Sequence, residues 1–271
     1  MTILQAVILG LIQGLTEFLP VSSSGHLVLA EHLLNIQTSS DITFEVFVHF
    51  GTLMSVVVVF WNDIVGIVQS LVRAFIPWRF GNAYYREQEP FRLSIYILVG
   101  SIPAAFIGLR YEHAIAEAFT DPKLVAVMLV LTGFILFLTG LATPVQGKKV
   151  GFLSAFVIGI AQAAAIIPGI SRSGSTISTA LYMKIEPYHA ARFSFLLSLP
   201  AVAGATLLKV KDLIANGGAA EGLLVLFTGM VVSFASGYVA LKFLLRIIER
   251  GKIRWFSLYC LVVGVLGIIF I

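Results

Sequence analysis

Two segments break the apolar pattern of this chain: "QGLTEFLPVSSSGH" at 13–26 and "PGISRSGST" at 168–176. Each places proline, glycine and serine, together with ionisable residues, between two apolar runs. The flanking runs, about 3–19 with 27–35 and 150–167 with 176–185, are short for a bilayer crossing, which needs roughly 20 apolar residues. Irregular backbone at membrane depth is tolerated only where protein or a water-filled cavity satisfies its polar groups. Each pair of runs therefore reads as a re-entrant hairpin that enters and leaves on one side.

Six further runs are long enough, or nearly so, to cross: 44–61, 93–109, 124–142, 193–208, 223–245 and 255–271. Residues 64–76 extend the first of these as a cytoplasmic helical tail. The chain is 58% hydrophobic and 12% charged, with a mean hydropathy of +0.97. Soluble domains carry about 25% charged residues, so too few are present here to cover a water-facing surface. The expected fold is all-α: one polytopic membrane domain over 1–271 with about six full spans and two re-entrant hairpins. A cleaved leader over 1–24 is the plainer reading of the first run. Against it, "MTILQAVILG" has no basic residue and Glu17 would end the apolar region. The single cysteine, Cys260, excludes an internal disulfide.

Basic residues orient the spans. Arg73, Arg79, Arg86 and Arg92 share one loop, Lys148 and Lys149 a second, and Lys242, Arg246, Arg250, Lys252 and Arg254 a third. By the positive-inside rule these loops are cytoplasmic. The alternate loops mix Arg110, Lys123, Lys209 and Lys211 with Glu112, Glu117, Asp121, Asp212 and Glu221, and are expected outside with both termini. The net charge of +4 follows from this placement and gives no case for nucleic acid.

A constant offset aligns Gly10 with Gly159, Gln13 with Gln162, Ser22 with Ser171, Ser24 with Ser173, Gly25 with Gly174 and Phe44 with Phe193. The 44–61 run ends at a basic loop and its counterpart 193–208 at the opposite side. Residues 1–145 and 146–271 are thus expected to be inverted repeats. Hairpins entering from opposite faces bring their polar turns together near the midplane.

The residues in those turns suit an anion. Gln13 and Glu17, four apart, share a helical face if 3–19 is helical. Pro20 ends that helix, and Ser22, Ser23, Ser24 and Gly25 form the turn. In the second hairpin Pro168–Gly169 does the same, with Ser175 and Thr176 as candidate N-caps. Two helix N-termini with free amides, the hydroxyls of Ser22, Ser24, Ser171, Ser173 and Thr176, and the Arg172 guanidinium match phosphate oxygens. Glu17 and His26 are available for proton transfer or metal binding. Each residue also has a plainer role: serines bond backbone, His26 joins helices, and Glu17 pairs with Arg172. Intramembrane ionisable residues are nevertheless costly and default to function. Glu45, Lys184, Glu186 and Arg192 lie near run ends, where snorkelling or interfacial pairing accounts for them. Glu45, adjoining the first hairpin, is the strongest of these for a functional role.

With these two motifs, "FEVFVHFGT" at 44–52 and "RFSFLLSLP" at 192–200, the chain resembles the bacterial undecaprenyl-diphosphate phosphatase family, the bacitracin-resistance proteins, over essentially its whole length. The resemblance implies an all-helical fold with interlocked inverted repeats in the bacterial cytoplasmic membrane, and a site opening toward the periplasm. It implies removal of the terminal phosphate from a polyprenyl diphosphate lipid, regenerating the monophosphate carrier for cell-wall synthesis. It carries functional roles to Glu17, Ser23, His26, Ser171, Arg172, Ser173 and Thr176. It also implies a divalent cation, Mg²⁺ or Ca²⁺, near Glu17 and Gln13. The family motif has an acidic first position where this chain has Gln13, leaving one carboxylate fewer. A homodimer is compatible with this reading.

The expected mechanism has Arg172, Ser173, Thr176 and backbone amides holding the phosphoryl oxygens. Ser23 is the candidate nucleophile with His26 as proton partner or orienter; the other route is attack by water activated at Glu17 or His26. A second function class, a transporter or flippase of a polyprenyl phosphate or other anion, also uses inverted repeats and broken helices.

The orientation is testable. Single cysteines in a Cys260→Ser background at 73–92 and 242–254 are expected to label only from the cytoplasm, and both termini only from outside. An inward C-terminus overturns the inverted-repeat reading.

Overall fold

The computed structural model describes residues 1–33, 42–75, 82–215 and 222–271, and the regular elements among them are helical. In chain order these are α1 (Ile3–Phe18), α2 (Ser23–Leu33), α3 (Ile42–Val59), α4 (Trp61–Phe75), α5 (Asn82–Glu87) and α6 (Glu89–Arg110). Then follow α7 (Glu112–Ala118), α8 (Pro122–Leu138), α9 (Phe152–Ala164), α10 (Arg172–Tyr182), α11 (Pro187–Ala215), α12 (Leu223–Glu249) and α13 (Phe256–Phe270). Arg79 and Glu221, assigned above to loops, and the end of the 27–35 run lie outside the described residues.

Local chemistry sets the helix starts. Thr2 Oγ1 accepts from Gln5 N–H at 3.2 Å while Gln5 Oε1 accepts from Thr2 N–H at 2.8 Å, a reciprocal cap on α1. Asp121 accepts from the Lys123 and Leu124 amides ahead of α8, with Pro122 in the first turn where no N–H is needed. α1 and α9 have 16 and 13 residues. At 1.5 Å per residue they reach roughly 24 and 20 Å, short of a hydrocarbon core of about 30 Å. Both lead through a tight turn into a second short helix, as expected of broken hairpins.

The expected six spans are corrected to four or five among the described residues. Four helices are long and apolar enough to cross: Glu89–Arg110, Pro122–Leu141, Leu223–Glu249 and Ile253–Phe270. The run 44–61 does not continue straight, because α3 and α4 meet at 79°. Counted together they make a fifth, broken span. The run 193–208 lies in α11, several of whose side chains fall outside the description, and is not among these.

The spanning helices wear much of their apolar surface outside. Leu98, Ile102, Phe106 and Leu109 of α6 and Leu258, Val262, Val265 and Ile269 of α13 are exposed at helical spacing, each a stripe suited to lipid. The core lies beneath, where Phe195 of α11 packs against Phe18 and Phe60 at centroid distances of 5.9 and 6.0 Å. At the start of α11, Arg192 pairs with Asp63 of α4 at 2.5 Å and Glu89 of α6 at 3.0 Å, and Glu89 also holds Lys149 at 2.6 Å. Arg192 thus has the interfacial pairing expected of it.

Small residues let the broken helices sit backbone to backbone on long ones. A Cβ on Gly10 of α1 would stand 2.8 Å from the Gly229 carbonyl oxygen of α12. One on Gly159 of α9 would stand 2.3 Å from the Gly100 carbonyl oxygen of α6. Lipid offers no hydrophobic drive between helices, so this close packing holds them. Gly159→Ala must push two backbones apart and is expected to destabilise by about 1–3 kcal/mol, read as a lowered unfolding midpoint in detergent. Gly204→Ala, in a helix with nothing within 4 Å, is the control and should be neutral or slightly stabilising.

Candidate active site

The last turn of α1 and the turn after it present Glu17 and the serines, and the turn before α10 presents Arg172. Pro20 has no N–H to continue α1, and the chain reverses through Ser22, whose φ of 69° is left-handed. For a residue with a Cβ that conformation costs about 1–3 kcal/mol. Ser22 Oγ accepts from the Gly25 amide at 3.2 Å and sits 3.3 Å from Ser24 Oγ. The second turn repeats this wiring: Ser171 Oγ accepts from the Gly174 amide at 3.1 Å and sits 3.3 Å from Ser173 Oγ. Ser171, not Ser175 or Thr176, is therefore the N-cap of α10. The other two lie inside the helix because it begins earlier, at Arg172.

The two turns interlock. Ser173 Oγ donates to the Leu19 carbonyl at 3.4 Å. A Cβ on Gly25 would lie 3.3 Å from Gly169 Cα, and one on Gly174 would lie 3.4 Å from Pro20 Cβ. The polar segments therefore face each other, as expected.

Glu17 is the hub. Its Oε1 accepts from Arg172 Nη2 at 2.6 Å, across from the other hairpin. Its Oε2 accepts from Ser23 Oγ at 2.6 Å and from Gln13 Nε2 at 3.1 Å. The side chains of Glu17 and Arg172 are 10% and 17% exposed, so the pair is largely out of water. Two polar atoms here are buried with no hydrogen-bond partner: Arg172 Nη1 and Gln13 Oε1. One is a cationic donor and the other a neutral acceptor. Buried polar groups are nearly always bonded, so such atoms mark where a ligand's groups belong.

His26 is held apart from Ser23. Its Nδ1 lies 2.8 Å from the Ser22 carbonyl and its Nε2 2.8 Å from the Tyr259 hydroxyl of α13. A carbonyl only accepts, so Nδ1 carries a hydrogen, and in the neutral ring Nε2 accepts from the tyrosine. The group placed to take the Ser23 proton is Glu17. Thr176 is wholly buried; its hydroxyl donates to the Arg172 carbonyl at 2.8 Å and lies 2.5 Å from Ser194 Oγ. Ser24 is half-buried at the mouth of the first turn.

The model of the bacitracin resistance protein BacA family matches residues 6–266. The chain belongs to the BacA family. An undecaprenyl-diphosphatase of Salinibacter ruber is 44% identical over 269 residues, 99% of each chain. One from Halothermothrix orenii is 42% identical over 271 residues, covering 99% of this chain and 98% of that one. One from Desulforapulum autotrophicum is 44% identical over 277 residues, with the same coverage. The family expected from the two motifs is the family found.

Several contacts of this BacA-family site lie outside the two hairpin motifs. Thr132 of α8 accepts from the Ser171 amide at 3.0 Å and donates to the Gly169 carbonyl at 2.9 Å, fastening the second turn. His49 of α3 lies within electrostatic reach of Glu17. Tyr259 arrives from α13, more than two hundred residues along the chain. A threonine or tyrosine inside an apolar run is ordinary, so only the tertiary contact singles these out. Glu45 sits in the first turn of α3, half-buried, with its carbonyl bonded to His49 Nδ1 at 2.8 Å.

Removing one partner of a buried ion pair costs about 3–5 kcal/mol. Arg172→Ala is therefore expected to lower the unfolding midpoint sharply, and Glu17→Gln in the same chain to recover much of the loss. Additive losses in the double variant show that the two side chains do not depend on each other.

Proposed function

We propose that this protein hydrolyses undecaprenyl diphosphate to undecaprenyl phosphate and inorganic phosphate, recycling a lipid carrier for cell-wall synthesis. The full-length relatives named for that activity support it. The observation that carries it to particular residues is the Arg172 guanidinium. One arm is fixed on Glu17 and the other, Nη1, is buried without a partner beside the serine turns. That is the fork a phosphoryl oxygen would complete.

In this reading the prenyl tail stays in lipid and the diphosphate occupies the space between the two turns. Arg172, with Ser24, holds the terminal phosphoryl oxygens as charge redistributes in the transition state, and Ser173, whose hydroxyl donates to the Leu19 carbonyl, keeps the two turns together around them. Ser23 Oγ attacks the terminal phosphorus and passes its proton to Glu17 Oε2, 2.6 Å away. The anhydride P–O bond breaks and undecaprenyl phosphate departs. Water then attacks the phosphoserine, the Ser23 Oγ–P bond breaks, Glu17 returns its proton to Ser23 Oγ, and the water's oxygen and protons leave with inorganic phosphate. Ser22, Ser171 and Thr176 act on the phosphate through the turns they cap or buttress, and His26 acts as orienter.

For a divalent cation, the donors offered are one carboxylate, Glu17, and one amide oxygen, Gln13 Oε1, which is buried and unpartnered. Both are hard oxygens of the kind Mg²⁺ and Ca²⁺ take. The described residues contain no group of three or more His, Cys, Asp or Glu that could hold a metal, so substrate oxygens would complete the shell. When bound, such an ion would offset phosphate charge. The chain is further assigned to the bacterial cytoplasmic membrane with inverted halves 1–145 and 146–271 and its site open to the periplasm. The basic loops and the matched wiring of the two turns support this.

Purified protein given undecaprenyl or farnesyl diphosphate is expected to release inorganic phosphate, and a chelator to suppress the release. A carrier of polyprenyl phosphate would release none. Arg172→Lys keeps the charge and loses the planar fork, and should cost on the order of 3–4 kcal/mol in the barrier, at least about a hundredfold. A folded lysine variant retaining more than about a tenth of the rate, a change of roughly 1.4 kcal/mol, shows that charge alone suffices.

A further inference from the structure

We infer that Tyr259 is a positioning residue of the hydrolytic site, acting through His26 to hold the left-handed Ser22 turn that aims Ser23 at Glu17. The inference rests on the hydrolytic reading above, and names a residue from the far end of the chain as part of its support.

The chain of contacts is direct. Tyr259 Oη lies 2.8 Å from His26 Nε2, and the two rings stack with centroids 5.5 Å apart and planes inclined by 7°. The opposite ring nitrogen, Nδ1, lies 2.8 Å from the Ser22 carbonyl. That carbonyl also accepts the His26 amide at 3.1 Å, so one residue grips it twice. Ser22 is the left-handed residue, with φ 69°, and the next residue is Ser23 with its hydroxyl on Glu17.

Tyr259 matters to this grip because a neutral imidazole carries one proton. If the tyrosine hydroxyl donates to Nε2, the proton stays on Nδ1 and the Ser22 carbonyl keeps its donor. Without that hydroxyl Nε2 loses its anchor on α13, and a ring that turns away from the Ser22 carbonyl is free to carry its proton on Nε2 instead. The Ser22 carbonyl, which only accepts, keeps the proton on Nδ1, and Tyr259 partners the opposite nitrogen and holds the ring in the orientation that braces the turn.

The second hairpin supplies an internal comparison. Ser171, which aligns with Ser22, has φ −73° and needs no left-handed backbone. The residue aligned with His26 is Ser175, whose amide bonds the Ser171 carbonyl at 2.8 Å. Of the two aligned turns, the one with the left-handed residue carries the imidazole bond; His49 makes the same Nδ1 bond to the Glu45 carbonyl within α3, but the His26 ring is the one whose far nitrogen meets Tyr259. α13 also meets the first turn next door, where Cys260 Sγ lies 3.6 Å from the Pro20 carbonyl. Tyr259 is 46% exposed, so an aromatic facing lipid is the plainer account of its ring. That account does not explain why its hydroxyl turns inward to His26.

Tyr259→Phe keeps the ring and deletes the hydroxyl. In purified protein with ¹⁵N-labelled histidine, and His26 assigned by the signal missing in His26→Gln, the wild type should show the Nδ1–H tautomer. Tyr259→Phe should shift His26 toward Nε2–H. In the phosphate-release assay kcat should fall about tenfold or more while KM changes little, the pattern of a misaimed nucleophile. In the His26→Gln background Tyr259→Phe should cost nothing further. Tyr259→Gln, whose amide can still donate, should recover part of the rate. An unchanged His26 tautomer in Tyr259→Phe, an unaffected kcat, or a full additional loss in the His26→Gln background each overturns the inference. A wild-type protein that releases no phosphate overturns the hydrolytic reading instead, since the tautomer measurement needs no turnover.

Discussion

The ion pair between Glu17 and Arg172 is the interaction on which the rest of the site depends. It joins residues from two hairpins 155 positions apart, at 2.6 Å, with little water on either side chain. A buried ion pair is a poor source of net stability, because taking each charge out of water costs several kcal/mol. Its value here is that neither charge can be left alone. Any movement that separates the hairpins must strand a carboxylate on one and a guanidinium on the other. The hydroxyl of Ser23 and the amide of Gln13 add hydrogen bonds to the carboxylate, which improves the pair and fixes its rotamer.

Around that pair, two turns with the same hydrogen-bond wiring carry unlike chemistry. Each begins with a serine that caps its own helix and rests against the serine two residues on. The residue between them differs: Ser23 in one and Arg172 in the other. The first turn therefore supplies a hydroxyl and a nearby acid, and the second a cation. In the proposed mechanism the two like-wired turns offer a nucleophile from one side and an anion clamp from the other. The backbone differs as well, left-handed at Ser22 and ordinary at Ser171.

Much of this was legible in the sequence because the chemistry is written in unusual places. Glu17 and Arg172 stand out in apolar surroundings, and Pro20 and Pro168 mark where helices must stop. The broken hairpins and the meeting of their turns follow from those positions alone. What the sequence does not carry is direction. His26, three residues after Ser23, reads as its proton partner, yet its imidazole bonds the Ser22 carbonyl one turn back and the Tyr259 hydroxyl. Thr176 reads as a phosphate ligand, but its hydroxyl is consumed by the Arg172 carbonyl and Ser194. The expected six spans overshot in part for a similar reason: an apolar run from 44 to 61 cannot announce that the chain turns by 79° after Val59. Hydropathy records how much apolar surface a segment has and nothing about where its axis points.

That bend has a further effect. If α3 stands across the bilayer, a helix turned by 79° from it lies nearly in the membrane plane, and Asp63 in its first turn lies at the level of the corner. Arg192 and Glu89 meet Asp63 there, and Lys149 joins them through Glu89, drawing the starts of α6 and α11 and the segment before α9 into one charged belt. Such a belt works as a waterline. The protein cannot sink, rise or tilt without dragging paired charges into hydrocarbon or lifting apolar flanks into water. With the belt at the bilayer surface, the depth of the two serine turns is set by residues that never touch them. A bilayer of different thickness would load that belt before it reached the site.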